Sequence, residues 1–302
     1  RRTPRRRPAR RPDHLFRETD LMRFGFLLVA SLLGLAGCAT TAPQATELLK
    51  TPDSIERKAH VSGVPFIEQK AGHCGPATLT MAMRWAGHDV SVEEIAPRVM
   101  TEAKAGSLQE NMIGATRREG LMGVRIEGYR ALLNELAAGH PVIIFENLGL
   151  SWYPQWHYAA VIGYDLDRRE LVMHSGPKAE ERVDMKVFER SWKHSKYWAL
   201  VVLPVGSIAV SAGELENMRA ASGLELAAHP QLAEKAYRGI LARWPESLSA
   251  RVGIANIAYA RGDYSSAVAT LEEALKYHPD SEVVRHNLEV ARNGQKNRSS
   301  VR

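Results

Sequence analysis

The chain has 302 residues, 45% of them apolar and 25% charged, a composition that excludes a wholly disordered, collagen-like or multi-span membrane protein. Its net charge of +6 sits in residues 1–37, where nine Arg face Asp13, Glu18 and Asp20. The other 265 residues balance to zero, so no basic footprint remains and no nucleic-acid partner is expected. At about 100–200 residues per domain, the length suggests two domains.

Residues 1–21 are Arg/Pro-rich and lack apolar periodicity. They read as an upstream extension ahead of an initiator at Met22, or as a disordered basic tail. From Met22 the pattern changes. Arg23 precedes an apolar run from Phe24 to Leu35, which suits a signal-peptide core and is short for a membrane span. The run ends in Leu35-Ala36-Gly37-Cys38, which resembles the bacterial lipoprotein lipobox. That resemblance implies a signal peptide over 22–37 and an acylated Cys38 that ties the chain to a membrane. With Ala39 rather than Asp next, it implies the outer membrane, facing the periplasm. Residues 38–58 then read as a tether.

With Cys38 acylated, Cys74 has no disulfide partner in the chain. It is either a buried inert thiol or a reactive one. After it, Ala77, Leu79, Met81, Ala82, Met83 and Trp85 predict a largely buried helix that Gly87 ends. Pro76 suits the first turn of that helix. Cys74 is therefore expected at a helix N-terminus, where unpaired N–H groups and the helix dipole favour a thiolate. Gln69, five residues upstream, has an amide able to donate to an oxyanion. A base must come from elsewhere. His157 opens the apolar run Tyr158-Ala159-Ala160-Val161-Ile162-Gly163-Tyr164, which reads as a buried strand.

The motif Gln69-x4-Cys74-Gly75-Pro76-Ala77 followed by a helix resembles papain-like cysteine peptidases of the bacteriocin-processing, double-glycine family. More closely, it resembles their lipoprotein relatives with C-terminal tetratricopeptide repeats. The resemblance covers about residues 60–205. It implies Cys74 as nucleophile, Gln69 in the oxyanion hole and His157 as general base and acid. The family's next strand usually ends in an Asp that orients the imidazole. Here that strand reads Leu171-Val172-Met173-His174-Ser175, so Ser175 or His174 holds the position, and neither is a carboxylate. Trp152 and Trp156 flank the expected base and form either a substrate pocket or a cap on the core.

Between these motifs, Ser91-Val92-Glu93-Glu94 is a capping-box pattern opening a short helix. Residues 107–119 have helical spacing, and a further short helix covers Leu132 to Leu136. Strands are expected at 141–146, from His157, up to Met173 and at 197–203, with a short helix at 186–192 between the last two. Helices followed by an antiparallel sheet make an α+β domain over 59–205, and the resemblance makes it papain-like. After Pro204, Ala, Leu and Glu dominate. Ala233, Tyr237 and Pro245 recur 34 residues later as Ala267, Leu271 and Pro279. This resembles tetratricopeptide repeats, and 206–302 is expected as an all-α region docked on the first domain. It serves either as a surface for a protein partner or as a packing spacer.

No Gly-rich phosphate loop, His-Glu-x-x-His or Cys-x-x-Cys occurs, so no cofactor or metal is expected. The expected function is an envelope-anchored thiol peptidase or amidase acting on a peptide or protein. The alternatives are a catalytically weak peptide-binding or assembly lipoprotein, and the same thiol chemistry used for amide transfer, deamidation or cell-wall cleavage.

Overall fold

The computed structural model describes residues 41–51, 55–70, 72–101 and 106–300. The extension, the signal segment, Cys38 and Ala39 lie outside the described residues. Residues 42–302 form one compact unit.

The scaffold is a seven-stranded antiparallel sheet in the order β4 (Met122–Glu127), β9 (Trp198–Leu203), β5 (Val142–Asn147), β6 (Trp156–Asp165), β7 (Glu170–Ser175) and β8 (Lys178–Asp184). A short β1 (Lys58–His60) pairs with the far end of β6. The central strands are apolar on both sides because both faces are covered. On one face, Ile143, Tyr158, Leu200 and Val202 pack under α2 (Cys74–Trp85), α3 (Val92–Val99) and α4 (Gln109–Arg118). On the other, Val142, Ile144, Ala159 and Val201 pack under α1 (Pro43–Lys50), α5 (Tyr129–Ala137) and α6 (Met185–Trp192).

Local signals account for several elements. Ser91 Oγ accepts from the Glu94 N–H at 3.2 Å, and the Glu94 carboxylate accepts from the Ser91 N–H at 2.8 Å, so the capping box opens α3. Helix α2 starts at Cys74 and buries every residue from Gly75 to Met83. The second small sheet, β2 (Met100–Thr101) with β3 (Gly106–Ser107), leans on its N-terminus. A Cβ at Gly75 would stand 2.4 Å from Ser107 Oγ, so only glycine permits this approach.

Five helices follow: α7 (Glu214–Leu226), α8 (Pro230–Arg243), α9 (Leu248–Ala260), α10 (Tyr264–Tyr277) and α11 (Glu282–Ser300). Ala221, Leu224, Ala233, Tyr237, Ile240 and Ile254 join the core on the α5–α6 face of the sheet, so the helical array is docked on the sheet domain. Ala267, Leu271 and Ala274 of α10 pack with Val284 and Leu288 of α11 in a separate cluster.

One boundary needs correction. Residues 38–58 do not form a continuous tether: Pro43–Lys50 is helix α1, with Ala45 and Leu48 buried in the main core, and β1 extends the sheet. The tie is a distant one. The buried Glu189 carboxylate accepts from the N–H groups of Gln44 (3.0 Å) and Ala45 (2.7 Å), two donors that a helix start leaves unsatisfied.

Candidate active site

The N-terminus of α2 places Cys74 half-buried, against the cluster that includes Phe145, Tyr158 and Trp198. His73 is the N-cap and provides no side-chain cap. The first intrahelical bond runs from the Ala77 N–H to the His73 carbonyl at 3.0 Å, and Pro76 has no N–H. Any anion at the Cys74 sulfur thus meets the positive end of a twelve-residue helix.

Thr78, one turn further along, joins the parts of the site. Its Oγ1 accepts from Gln69 Nε2 at 3.0 Å and donates to the Tyr158 carbonyl at 3.3 Å. Gln69 is held again at the β7–β8 turn: its Oε1 accepts from the Gly176 N–H at 3.2 Å, and its own N–H donates to the Gly176 carbonyl at 3.3 Å. One network therefore spans the loop before α2, α2 itself, the residue after His157 and the residue after Ser175. Gln69 Nε2 carries two hydrogens, and Thr78 takes one.

His157 sits at the open end of β6, with Nε2 3.0 Å from Ser175 Oγ. Burial pushes its pKa below the ordinary imidazole value, and the negative charge of Glu181 opposes that shift. His174 is directed elsewhere. Its Nε2 lies 3.3 Å from the Val64 carbonyl, its Nδ1 accepts from the Glu180 N–H at 3.1 Å, and its ring meets Phe66 edge-on. Of the two residues at the orienting position, Ser175 is the one that contacts His157.

The aromatic residues divide. Phe145 stacks on Tyr158 at 4.4 Å and on Trp156 at 4.8 Å, a row leading from the Cys74 side of the sheet to solvent. Trp152 stands apart on the β5–β6 hairpin, 79% exposed and beside Tyr153.

Two carboxylates escaped the sequence reading. A hollow of about 630 Å³ next to His157 and Ser175 is also lined by Glu146, Glu181 and Ser191. Glu146 stands directly across from His157 on β5, so the two side chains share a face. Its signal in the sequence was an acid closing an otherwise apolar strand. Ser191 Oγ donates to it at 2.5 Å, while burial raises its pKa from 4.5 to about 7. The unfolded carboxyl ionises first, so stability falls as pH rises from about 4.5 and levels off above about 7. This group alone contributes a loss of roughly 3 kcal/mol. Glu146→Gln is expected to flatten that slope in urea titrations run between pH 4.5 and 8. An unchanged slope would show that Glu146 is not the group responsible.

Among the described residues, no cluster of three or more His, Cys, Asp or Glu is arranged to hold a metal, and no helix is long and apolar enough to cross a membrane.

Residues 61–200 match the model of the Peptidase_C39 like family, and residues 226–286 match that of a tetratricopeptide repeat. This stretch, 61–200, is similar to the Peptidase_C39 like family. Among solved structures, the C39-like domain is similar to a C39-like peptidase from Bacillus anthracis, at 18% identity. That match covers 49% of this chain and 98% of the other, with a TM-score of 0.43. It is also similar to a double glycine motif protease from an AMS/PCAT transporter in complex with the leader peptide, at 22% identity over 50% and 96% of the two chains (TM-score 0.40). The peptidase domain of Streptococcus ComA, a bi-functional ABC transporter of a quorum-sensing pathway, matches at 19% identity over 47% and 99% (TM-score 0.40). No curated protein matches the chain. The C39-like domain holds Gln69, Cys74, His157 and Ser175, and the repeat region begins at the end of α7.

Proposed function

We propose that this chain is a thiol peptidase of the bacterial envelope, acylated at Cys38 and held at the outer membrane facing the periplasm. It cleaves a peptide bond in a peptide or protein, and the repeat helices offer a surface for a protein partner. The Cys74 thiolate attacks the scissile carbonyl carbon and forms a C–S bond. The Cys74 backbone N–H and the second Gln69 Nε2 hydrogen hold the oxyanion. Imidazolium His157 gives its proton to the leaving amine as the C–N bond breaks, leaving a thioester. His157 then takes a proton from water, which attacks the thioester, releases the carboxylate product and restores the thiol. With Nε2 on Ser175, this reading assigns the proton exchange with the sulfur to Nδ1. The reading rests chiefly on the network through Thr78 that ties Gln69 and the Cys74 helix to the backbone next to His157.

A second reading has one observation in its favour: Ser175, not a carboxylate, meets His157. A serine orients the ring without charging it, which suits a weak enzyme that binds peptide in the cleft. Alkylation of Cys74 against pH, in the full chain carrying Cys38→Ser, separates the two. A rate already high near about pH 6 and lost in His157→Ala supports the armed nucleophile. A rate rising only around the free-thiol pKa of ~8.5, indifferent to His157, overturns it in favour of the binding reading. As a further arm, Ser175→Asp is expected to raise the His157 pKa, because a carboxylate favours the imidazolium, and to speed alkylation on the acid side.

A further inference from the structure

The hairpin between β5 and β6 carries an exposed apolar surface. Residues 147–156 read Asn-Leu-Gly-Leu-Ser-Trp-Tyr-Pro-Gln-Trp, with no charged side chain. The hairpin is stiff. The Leu148 N–H donates to the Gln155 carbonyl at 2.9 Å, and Leu150 and Tyr153 exchange backbone bonds at 3.1 Å. Asn147 Oδ1 accepts from the N–H groups of Gly149 (2.9 Å) and Gln155 (2.8 Å) at the root. A Cβ on Gly149 would stand 2.4 Å from the Tyr153 carbonyl oxygen, so the close pairing requires glycine. On this arm Leu148, Leu150, Trp152 and Tyr153 are 58%, 56%, 79% and 64% exposed. Trp156, which ends the arm, is exposed as well; scattered apolar residues on a surface need no explanation, but five on one ten-residue arm do. Leu148 at the root lines the hollow that holds His157, and Leu150, Trp152 and Tyr153 extend beyond it. Trp and Tyr combine a large ring with a polar N–H or O–H, the chemistry that settles at the boundary between headgroups and acyl chains.

The position of the arm favours the same partner. Val187 and Arg190 of α6, both exposed, line a hollow together with Leu148 and Gly149 at the arm's root. Glu189 of the same helix holds α1. Helix α6 has eight residues, a length of about 12 Å. Helix α1 begins five residues after Cys38, a span of at most ~18 Å. A lipid on Cys38, as proposed above, is at most that length of chain from the start of α1, and the exposed Arg190 suits anionic headgroups.

We propose that the 147–156 hairpin is a membrane-interface arm. Leu150, Trp152 and Tyr153 enter the bilayer boundary and hold the hollow at His157 beside the surface. The proposal rests on the anchoring at Cys38, and its test separates the two. The full chain is reconstituted into 3:1 phosphatidylethanolamine–phosphatidylglycerol vesicles, with or without acyl-brominated lipid, and tryptophan emission is read. Residues 1–41 contain no Trp, and Trp192 and Trp198 are buried. Bromolipid quenching is expected, and Trp152→Phe with Trp156→Phe is expected to remove most of it, since the half-buried Trp85 and Trp244 lie off the arm. The mass of the Cys38 peptide reports acylation independently. An acylated chain without quenching overturns the arm and leaves the anchor standing. Quenching in an unacylated chain supports the arm and removes the anchor, and neither signal overturns both. A raised KM for peptides in Trp152→Phe, without quenching in the parent, makes the arm a substrate wall and overturns the proposal.

Discussion

Replacing Cys74 by Ala is expected to lower peptide turnover by at least about 10⁴-fold, because the covalent step has no substitute. The fold should tolerate the change. Cys74 is half-buried, and Ala keeps the Cβ and favours helix, so the variant is expected to unfold within about 1 kcal/mol of the parent. The network of Gln69, Thr78, Tyr158 and Gly176 does not pass through the sulfur, so it remains as a cleft. Peptide binding should therefore survive the loss of turnover. The measurement is cleavage of an internally quenched peptide pool, with binding of the peptides that are cut read in parallel. Turnover persisting in Cys74→Ala would remove the thiol mechanism. Binding without turnover in the parent as well would identify the chain as a peptide receptor. Gln69 is the instructive contrast. Its carboxamide donates to Thr78 and carries one more hydrogen, so its loss damages both the oxyanion hole and the tie between α2 and β6. Only the Cys74 variant separates chemistry from architecture.

Much of this site was legible because its signals are local. The apolar run after Cys74, the capping box at Ser91 and the apolar strand after His157 are each written within about fifteen residues, and the structure places α2, α3 and β6 on them. What escaped depends on distant partners. Thr78 looks like one polar residue in a buried helix. Its role needs Gln69 on one side and the Tyr158 carbonyl on the other. Strand β8 reads Lys-Ala-Glu-Glu-Arg-Val-Asp, with no apolar alternation to mark it. It is an edge strand, and charges at an edge discourage pairing with another chain, so the lack of an apolar pattern has a physical reason. Glu181 lies on that strand, and its nearness to His157 was hidden with it. Choosing between His174 and Ser175 needed the register of β7 against β6, with its irregularity between Val161 and Gly163. A one-residue slip exchanges the two faces of a strand, and no local signal fixes that.

The largest effect on stability is expected at Glu189→Ala. The carboxylate is fully buried and accepts from the Gln44 and Ala45 N–H groups at 3.0 and 2.7 Å and from the Tyr197 hydroxyl at 3.1 Å. Ala42 offers no side chain to cap α1, so Glu189 performs from 145 residues away what an N-cap residue ordinarily does. Truncation leaves one buried and two part-buried donors without that acceptor, at a cost of about 3 kcal/mol. For a unit of this size that lowers Tm by roughly 6–12 °C. The reach of α1 into the core offers a control. Gln44 Oε1 accepts from the Tyr129 N–H at 2.8 Å, so α1 also closes the start of α5. In a chain shortened to begin at Ile55, Glu189 has already lost two of its three donors, and Glu189→Ala should then cost much less. The difference between the two effects is the coupling between α1 and α6. Equal effects in both backgrounds would place the role of Glu189 at Tyr197 alone, and α1 would then contribute little to the fold. A coupling of about 2 kcal/mol or more would make the segment following Cys38 a structural part of the peptidase rather than a leash.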